Sequence, residues 1–281
     1  GLKKINHFAF FQHMSKFLFA IIFFIILYYY SDFDRFSVSV QAFTIAVVLV
    51  MILSLVSLFK NFKVVNPIRV FSYKEIIKTS FPMMLSSSIL LFMAWTDSIM
   101  IGIFMKEVDV GIYNVALKLA MTTGIILGAV NSILAPKISE TFNNNRMDEF
   151  KRLIKYSTRV IFFSSLPFLI LLFAFPEFLL SIFGDEFIIA KQTLFILLIG
   201  QFFNVMSGSV GYILQMTGKE KVYQNILFIS LILNVIINII LIPRIGVEGA
   251  AIASSLSMFF WNLSSVFYIY KKYNVLTFIT I

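Results

Sequence analysis

The sequence predicts an all-α fold, a polytopic membrane helix bundle with about eight transmembrane helices, and three observations carry that prediction. Of 281 residues, 59% are hydrophobic and 13% charged, where soluble domains run near ~45–50% apolar and ~25% charged. The apolar residues fall in long runs of roughly the ~20 residues that a membrane span requires. The basic residues gather in alternate loops. Of the 23 Lys and Arg, eighteen lie on one side, four (Arg35, Lys106, Lys191 and Arg244) on the other, and Lys118 is left inside a span.

The runs place helices at 17–31, 38–59, 79–105, 111–135, 157–180, 188–216, 222–242 and 247–270. The first is short for a span, with Lys16 able to reach outward and Tyr28, Tyr29 and Tyr30 suited to an interfacial aromatic belt. The second returns to a basic end at "SLFKNF". The third carries Asp97 amid "LLFMAWTDSIMIGIFM". A carboxylate in hydrocarbon costs at least ~2.5 kcal/mol, so a partner or a function is expected for it. The fourth carries Lys118. At ~1.5 Å per residue, Asp97 and Lys118 lie at one level on adjacent antiparallel helices, which predicts a charge pair between them. Two readings follow: the pair only neutralises itself, or it faces a charged cavity. The fourth run also holds Ala120, Gly124 and Gly128, a ladder of small residues read as helix packing.

In the fifth run, Pro167 and Pro176 are expected to bend the helix. The sixth places Gln201, Asn204, Gly208, Gly211 and Gln215 at alternating spacings of three and four, hence on one helical face. Such a stripe serves either close packing or cavity lining. Asn234 and Asn238, one turn apart in the seventh run, leave the same two readings open. The eighth ends on Lys271 and Lys272.

By the positive-inside rule both termini and the basic loops are cytoplasmic. The basic, proline-containing stretch 63–78 reads as a cytoplasmic linker between residues 1–62 and a six-helix lobe at 79–281. A weak internal repeat supports that division. The start, "GLKKINHFAFFQHMSKFLFAIIFFIILYYY", and "GKEKVYQNILFISLILNVIINIILIP" both run as Gly, basic cluster and outward helix, and both are followed by a helix returning to a basic end. Residues 1–62 then correspond to the last two helices of a first lobe.

Several function classes are excluded. With no cysteine and only His7 and His13, thiolate and histidine metal sites are absent, and no cofactor is expected. The formal net charge of +9 lies in the loops of a membrane chain, which removes the nucleic-acid reading. Gly218-Lys219 lacks the upstream glycine of a Walker loop, and "SGSVG" lacks the glycine of a nucleophile elbow. A membrane polymerase or glycosyltransferase would need a large extramembrane loop or a carboxylate/histidine cluster, and neither is present.

The order "WTDSIMIGIF", "VGIYNVALKL", "LAPKIS", "SIFGDEF", "LQMTGK", "LIP" and "IGVEGAAIASS" resembles the second lobe of polysaccharide flippases (O-antigen and capsule repeat-unit flippases) of the multidrug/oligosaccharidyl-lipid/polysaccharide exporter superfamily. The resemblance covers 79–273 and, in pattern, 1–62. It implies two helix bundles around a central cavity and alternating access. The implied reaction flips an undecaprenyl-linked oligosaccharide across the bacterial cytoplasmic (inner) membrane for surface polysaccharide synthesis. Against the family's length the first four helices are missing, so an N-terminally truncated first lobe is expected. The resemblance also implies that Asp97 and Lys118 line the second lobe's cavity. Lys118 is the cation expected to meet the pyrophosphate, and Asp97 is its partner or the site of a coupling ion, H+ or Na+. Asn114, Gln201, Asn204, Asn234 and Asn238 complete the candidate substrate or ion set. Expected partners are the lipid-linked oligosaccharide, membrane lipid and other polysaccharide-assembly proteins. The alternatives are a cation-coupled multidrug antiporter of the same superfamily, the polymerase or glycosyltransferase above, and a non-transporting scaffold.

Overall fold

The computed structural model describes residues 15–30, 35–61 and 72–279, and among them every regular element is helical. The chain divides into two compact units, Gly1–Val70 and Phe71–Ile281. In the first unit, α1 (Ser15–Tyr30) packs on α2 (Arg35–Asn61), and Val38, Ala42 and Ala46 form a buried stripe at four-residue spacing on α2. His7, His13 and most of the expected linker lie outside the described residues.

The second unit opens with α3 (Tyr73–Phe104), so residues 73–78 of the expected linker are helix. Ser86 donates from Oγ to the Pro82 carbonyl at 2.8 Å inside that helix. α4 (Glu107–Met121) and α5 (Gly124–Asn143) occupy the single span expected at 111–135 and meet at 46°. The hydroxyls of Thr122 and Thr123 turn back onto the carbonyls of Leu119 and Ala120, at 2.7 and 2.8 Å. Their backbone N–H groups bond the same carbonyls three residues back, and this tightened turn interrupts the helix.

α6 (Met147–Ala174) holds Pro167 within it, and Pro176 starts the short α7 (Pro176–Ser181) rather than bending one long helix. Proline suits a first helical position, where its missing N–H would have no partner. A 3-10 turn at Asp185–Ala190 leads into α8 (Lys191–Ser207) and α9 (Val210–Met216). The unit closes with α10 (Glu220–Ile245) and α11 (Val247–Tyr273), a hairpin turning at Gly246, whose φ is +66°.

Among the described residues six helices are long and apolar enough to cross a membrane, and the α4–α5 pair makes a seventh if counted as one span. Residues Leu18–Tyr29 of α1 form a shorter apolar helix. The polytopic all-α bundle is as expected, while the described residues give six or seven spans by length and composition rather than eight. Exposed Phe92, Trp95, Ile99 and Ile103 line one side of α3, the apolar exterior that lipid requires.

α10 packs along both α3 and α11, and α8 lies against α4, α6 and α11. Their buried apolar residues form two clusters. One includes Ile89, Met93, Leu134, Phe150, Ile213, Leu227 and Ile269; the other includes Ile101, Ala120, Leu194, Leu198, Ile242 and Ala251. On α3 the step between the clusters is Asp97; on α10 it is Asn234 and Asn238; on α11 it is Ser254. Gln201 and Asn204 take the corresponding place in α8. The polar residues thus form a layer between two apolar cores, so only residues at that layer can gather around a shared polar site.

Candidate functional site

Asp97 lies seven residues before the end of α3 at Phe104, Asn238 seven before the end of α10 at Ile245, and Ser254 seven after the start of α11 at Val247. At ~1.5 Å per residue all three sit about 10 Å inside the same end of the unit. Asp97 is 1% exposed and accepts four hydrogen bonds. Its Oδ1 receives Asn238 Nδ2 at 2.7 Å and Asn234 Nδ2 at 3.1 Å. Its Oδ2 receives the Tyr113 hydroxyl at 2.6 Å and the Ser254 hydroxyl. Asn238 Nδ2 also reaches Asn234 Oδ1 at 3.2 Å. Every donor is neutral. An ionised carboxylate accepts only, at about four lone-pair sites, so this set saturates it without supplying a positive charge.

The expected charge pair with Lys118 is not formed: among the described residues no ion pair involves either side chain, and Lys118 is exposed. Depth and rotation both differ from that expectation: Lys118 lies eleven residues inside the start of α4 at Glu107, whereas Asp97 lies seven from the end of α3. Tyr113 is the α4 residue that faces Asp97, and Lys118 follows it by five positions, about 140° further round a 3.6-residue helix. Asn114 also turns away, accepting the Ser98 hydroxyl at 3.2 Å and donating to the Val110 carbonyl at 2.9 Å.

Beside Asp97 lies a cavity of about 550 Å³. Asp97, Gln201, Asn204 and Ser254 contribute its polar wall, and no Lys or Arg lines it. Lys118 is therefore not placed to meet a phosphate there. Asn234 and Asn238 sit behind Asp97, fully buried, and hold it in place. Gly124 and Gly128 border the cavity, and a Cβ added at either would meet nothing within 4 Å. Their smallness therefore keeps space open, which corrects the packing role expected of the ladder.

The stripe on the sixth run divides. Gln201 and Asn204 face the cavity, whereas a Cβ on Gly208 would approach Thr158 Oγ1 to 2.5 Å and one on Gly211 would approach the Tyr223 hydroxyl to 2.6 Å. Among the described residues no cluster of His, Cys, Asp or Glu could hold a metal ion. Sequence reasoning passed over Tyr113 and Ser254, although both stand in quoted motifs, "VGIYNVALKL" and "IGVEGAAIASS".

This architecture matches known proteins. The MatE family matches residues 82–240, and the family described as polysaccharide biosynthesis protein matches residues 1–142. The chain belongs to these two transporter families. It is 32% identical to the probable low-salt glycan biosynthesis flippase Agl15 of Haloferax volcanii over 59% of this chain and 35% of that protein. It is 26% identical to the capsular polysaccharide biosynthesis protein CapF of Staphylococcus aureus over 71% and 50%. A putative O-antigen transporter of Shigella flexneri is 28% identical over 58% and 39%. Among solved structures, the outward-facing form of a MATE family multidrug resistance transporter superposes with a TM-score of 0.57 at 21% identity, over 73% of this chain and 47% of that one. The chain thus spans between a third and a half of the length of these relatives. The resemblance to polysaccharide flippases of the exporter superfamily holds, and the Haloferax and Shigella relatives are themselves named as a flippase and a transporter.

Proposed function

We propose that this chain supplies the second lobe of a flippase that moves an undecaprenyl-linked oligosaccharide across the bacterial cytoplasmic membrane by alternating access. In this reading residues 79–281 form the moving lobe, residues 1–62 belong to the first lobe, and both termini face the cytoplasm. Family membership supports the transporter class. The observation that carries the mechanism is Asp97, buried among four neutral donors on the wall of a cavity whose lining is otherwise mainly apolar. Because no cation compensates it, binding of H+ or Na+ would change both the net charge of the polar layer and the hydrogen bonds joining α3, α4, α10 and α11. That is the differential interaction an ion needs to shift a two-state equilibrium. The same observation favours a second reading, a cation-coupled multidrug antiporter, because the Lys118 charge expected beside Asp97 is not there to repel a cationic substrate. Deleting the gene in its host separates the two. A flippase predicts lipid-linked oligosaccharide accumulating on the cytoplasmic leaflet with surface polysaccharide lost; unchanged polysaccharide with raised drug sensitivity would overturn that in favour of the antiporter.

A further inference from the structure

α6 runs for 28 residues, from Met147 to Ala174, and is apolar enough to span a membrane. A hydrocarbon core takes up only ~20 residues of helix, so counting back from Ala174 places its edge near Lys155. Lys151 and Arg152 then stand at the level of the lipid headgroups, and Arg159 lies about one turn, ~6 Å, inside the edge. Lys151, Arg152, Lys155, Tyr156 and Arg159 line an open cavity of about 360 Å³, and no acidic side chain is in its wall. Among the described residues Lys151, Arg152 and Lys155 make no ion pair, while the nearby Glu149 carboxylate is held by Arg146 at 3.2 Å.

The cations continue into an apolar track on the same face. Phe150, Ile154, Ile161 and Leu172 are the buried side of α6. At 3.6 residues per turn Arg152, Tyr156, Arg159, Phe163 and Ile170 all fall within ~40° of one line, on the opposite side of the helix. Tyr156, Phe163 and Ile170 are 68%, 60% and 57% exposed. The face therefore carries positive charge at the headgroup end, an aromatic hydroxyl at the boundary and large apolar side chains for the next ~20 Å. No residue of α6 lines the cavity beside Asp97, so this face is separate from the candidate transport site.

We propose that this face of α6 binds one anionic phospholipid of the surrounding bilayer, such as phosphatidylglycerol. Lys151, Arg152 and Lys155 hold its phosphodiester, and an acyl chain lies along Tyr156, Phe163 and Ile170. The guanidinium of Arg152 offers a phosphate two parallel N–H donors, and the lysines reach it as mobile point charges. Basic clusters at the end of a membrane helix attract anionic headgroups, and here the charges also form a concave seat. Tyrosine suits the boundary because its ring is apolar and its hydroxyl wet. The apolar track decides between a lipid and a soluble anion, since free phosphate would use the cations and leave Phe163 and Ile170 without a role. The inference does not rest on the flippase reading, because the site lies outside the cavity and needs no transport.

A local emitter tests the site directly. The chain has two tryptophans, so Trp95→Phe and Trp261→Phe with Tyr156→Trp leave a single indole, in the site itself. The full chain is reconstituted in phosphatidylcholine vesicles, and lipids with brominated acyl chains, which quench indole on contact, are titrated in. Brominated phosphatidylglycerol should quench with an affinity about tenfold or more above that of brominated phosphatidylcholine. Lys151→Gln, Arg152→Gln and Lys155→Gln together should abolish the preference; continued quenching by brominated phosphatidylcholine shows that the variant is inserted. Lys221→Gln, Lys271→Gln and Lys272→Gln together remove the same charge at the same end of the lobe, where the Tyr273 ring lies 5.6 Å from that of Phe150, and should keep the preference. Unbrominated phosphatidylglycerol should relieve the quenching, and inorganic phosphate at the same concentration should not. Equal quenching by the two lipids, or equal loss in both triple variants, would overturn the site in favour of diffuse charge. Relief by inorganic phosphate would make it a soluble-anion site, and undecaprenyl phosphate displacing phosphatidylglycerol at a tenth of its concentration would assign it to a polyprenyl carrier instead; either result overturns the proposal. Absence of quenching by either lipid would mean that protein covers this face, which also overturns it. None of these outcomes bears on the flippase reading, which the gene deletion tests separately.

Discussion

Asp97 and Asn238, 141 residues apart in the chain, meet at 2.7 Å in the polar layer of the second unit, the Asn238 amide donating to the Asp97 carboxylate. The bond ties α3 to α10, and Asn238 is fully buried, so water cannot replace a lost donor. Hydrogen bonds to a charged group are worth ~1.5–3 kcal/mol. Asn238→Ala should therefore lower stability by about that amount, and a cycle with Asp97→Ala should show a coupling on the order of 1–3 kcal/mol. Unfolding in detergent, followed by loss of the monodisperse species on heating, measures both. Additive effects of the two changes would mean that the contact carries no energy.

How far the site could be read from sequence depended on whether a residue's depth or its rotation mattered. Depth is countable, and Asp97, Asn234 and Asn238 were all picked out because polar side chains inside apolar runs stand out. On α4, which starts at Glu107 rather than 111, that count slips by four residues, and rotation depends on helix packing as well, which is why the sequence pairs Lys118 with Asp97 while Tyr113, five residues earlier on the same helix, is its neighbour. Hydroxyl residues such as Ser254 carry little signal, since they bond their own helix as readily as a neighbour, as Ser257 does to the Ala253 carbonyl. The break at Gly208 was hidden for a different reason. It falls within a regular spacing of threes and fours, and a glycine on such a stripe reads equally as packing or as a left-handed residue. The small residues Gly124 and Gly128 show the reverse ambiguity, since a ladder of that kind looks alike whether a helix or empty space lies opposite.

Lys118 supplies a prediction that separates the observed geometry from a charge pair. With no ion pair to Asp97, Lys118→Gln should leave membrane abundance and transport close to wild type. Asp97→Asn should abolish transport, and adding Lys118→Gln to it should restore nothing. If the double variant transported better than Asp97→Asn alone, the two charges would be coupled, contrary to their placement here.

The glycines of the second unit divide sharply, and alanine scanning should reproduce the division. A Cβ at Gly249 would lie 2.6 Å from the Leu241 carbonyl carbon and 2.9 Å from the Ile242 nitrogen, backbone atoms that cannot move aside within the α10–α11 hairpin. At Gly208 the left-handed φ adds ~1–2 kcal/mol for any L side chain on top of the Thr158 collision. Gly249→Ala and Gly208→Ala should both lower the yield of folded protein. Gly124→Ala and Gly128→Ala meet open space, and within a helix alanine is favoured over glycine by ~0.5–1 kcal/mol. Both should fold at least as stably as the parent while narrowing the cavity beside Asp97, so transport should fall with stability unchanged.

The orientation across the membrane is testable because the chain has no native cysteine. Asn144 is exposed in the turn joining α5 to α6, close to Lys151, Arg152 and Lys155, and Glu107 is exposed at the start of α4, at the other end of the α4–α5 pair. The eighteen-to-four division of basic residues predicts Asn144 in the cytoplasm and Glu107 outside. In intact cells an impermeant maleimide should label Glu107→Cys and leave Asn144→Cys untouched, and opening the cells should expose the second to full labelling. Both side chains lie away from the Asp97 layer, so neither change should disturb the fold, and labelling after lysis verifies that each thiol is accessible. Labelling of Asn144→Cys alone from outside would invert the topology. The Asp97 level, about 10 Å from the Glu107 end, would then lie nearer the cytoplasm, and the polar layer would open first to the opposite solution.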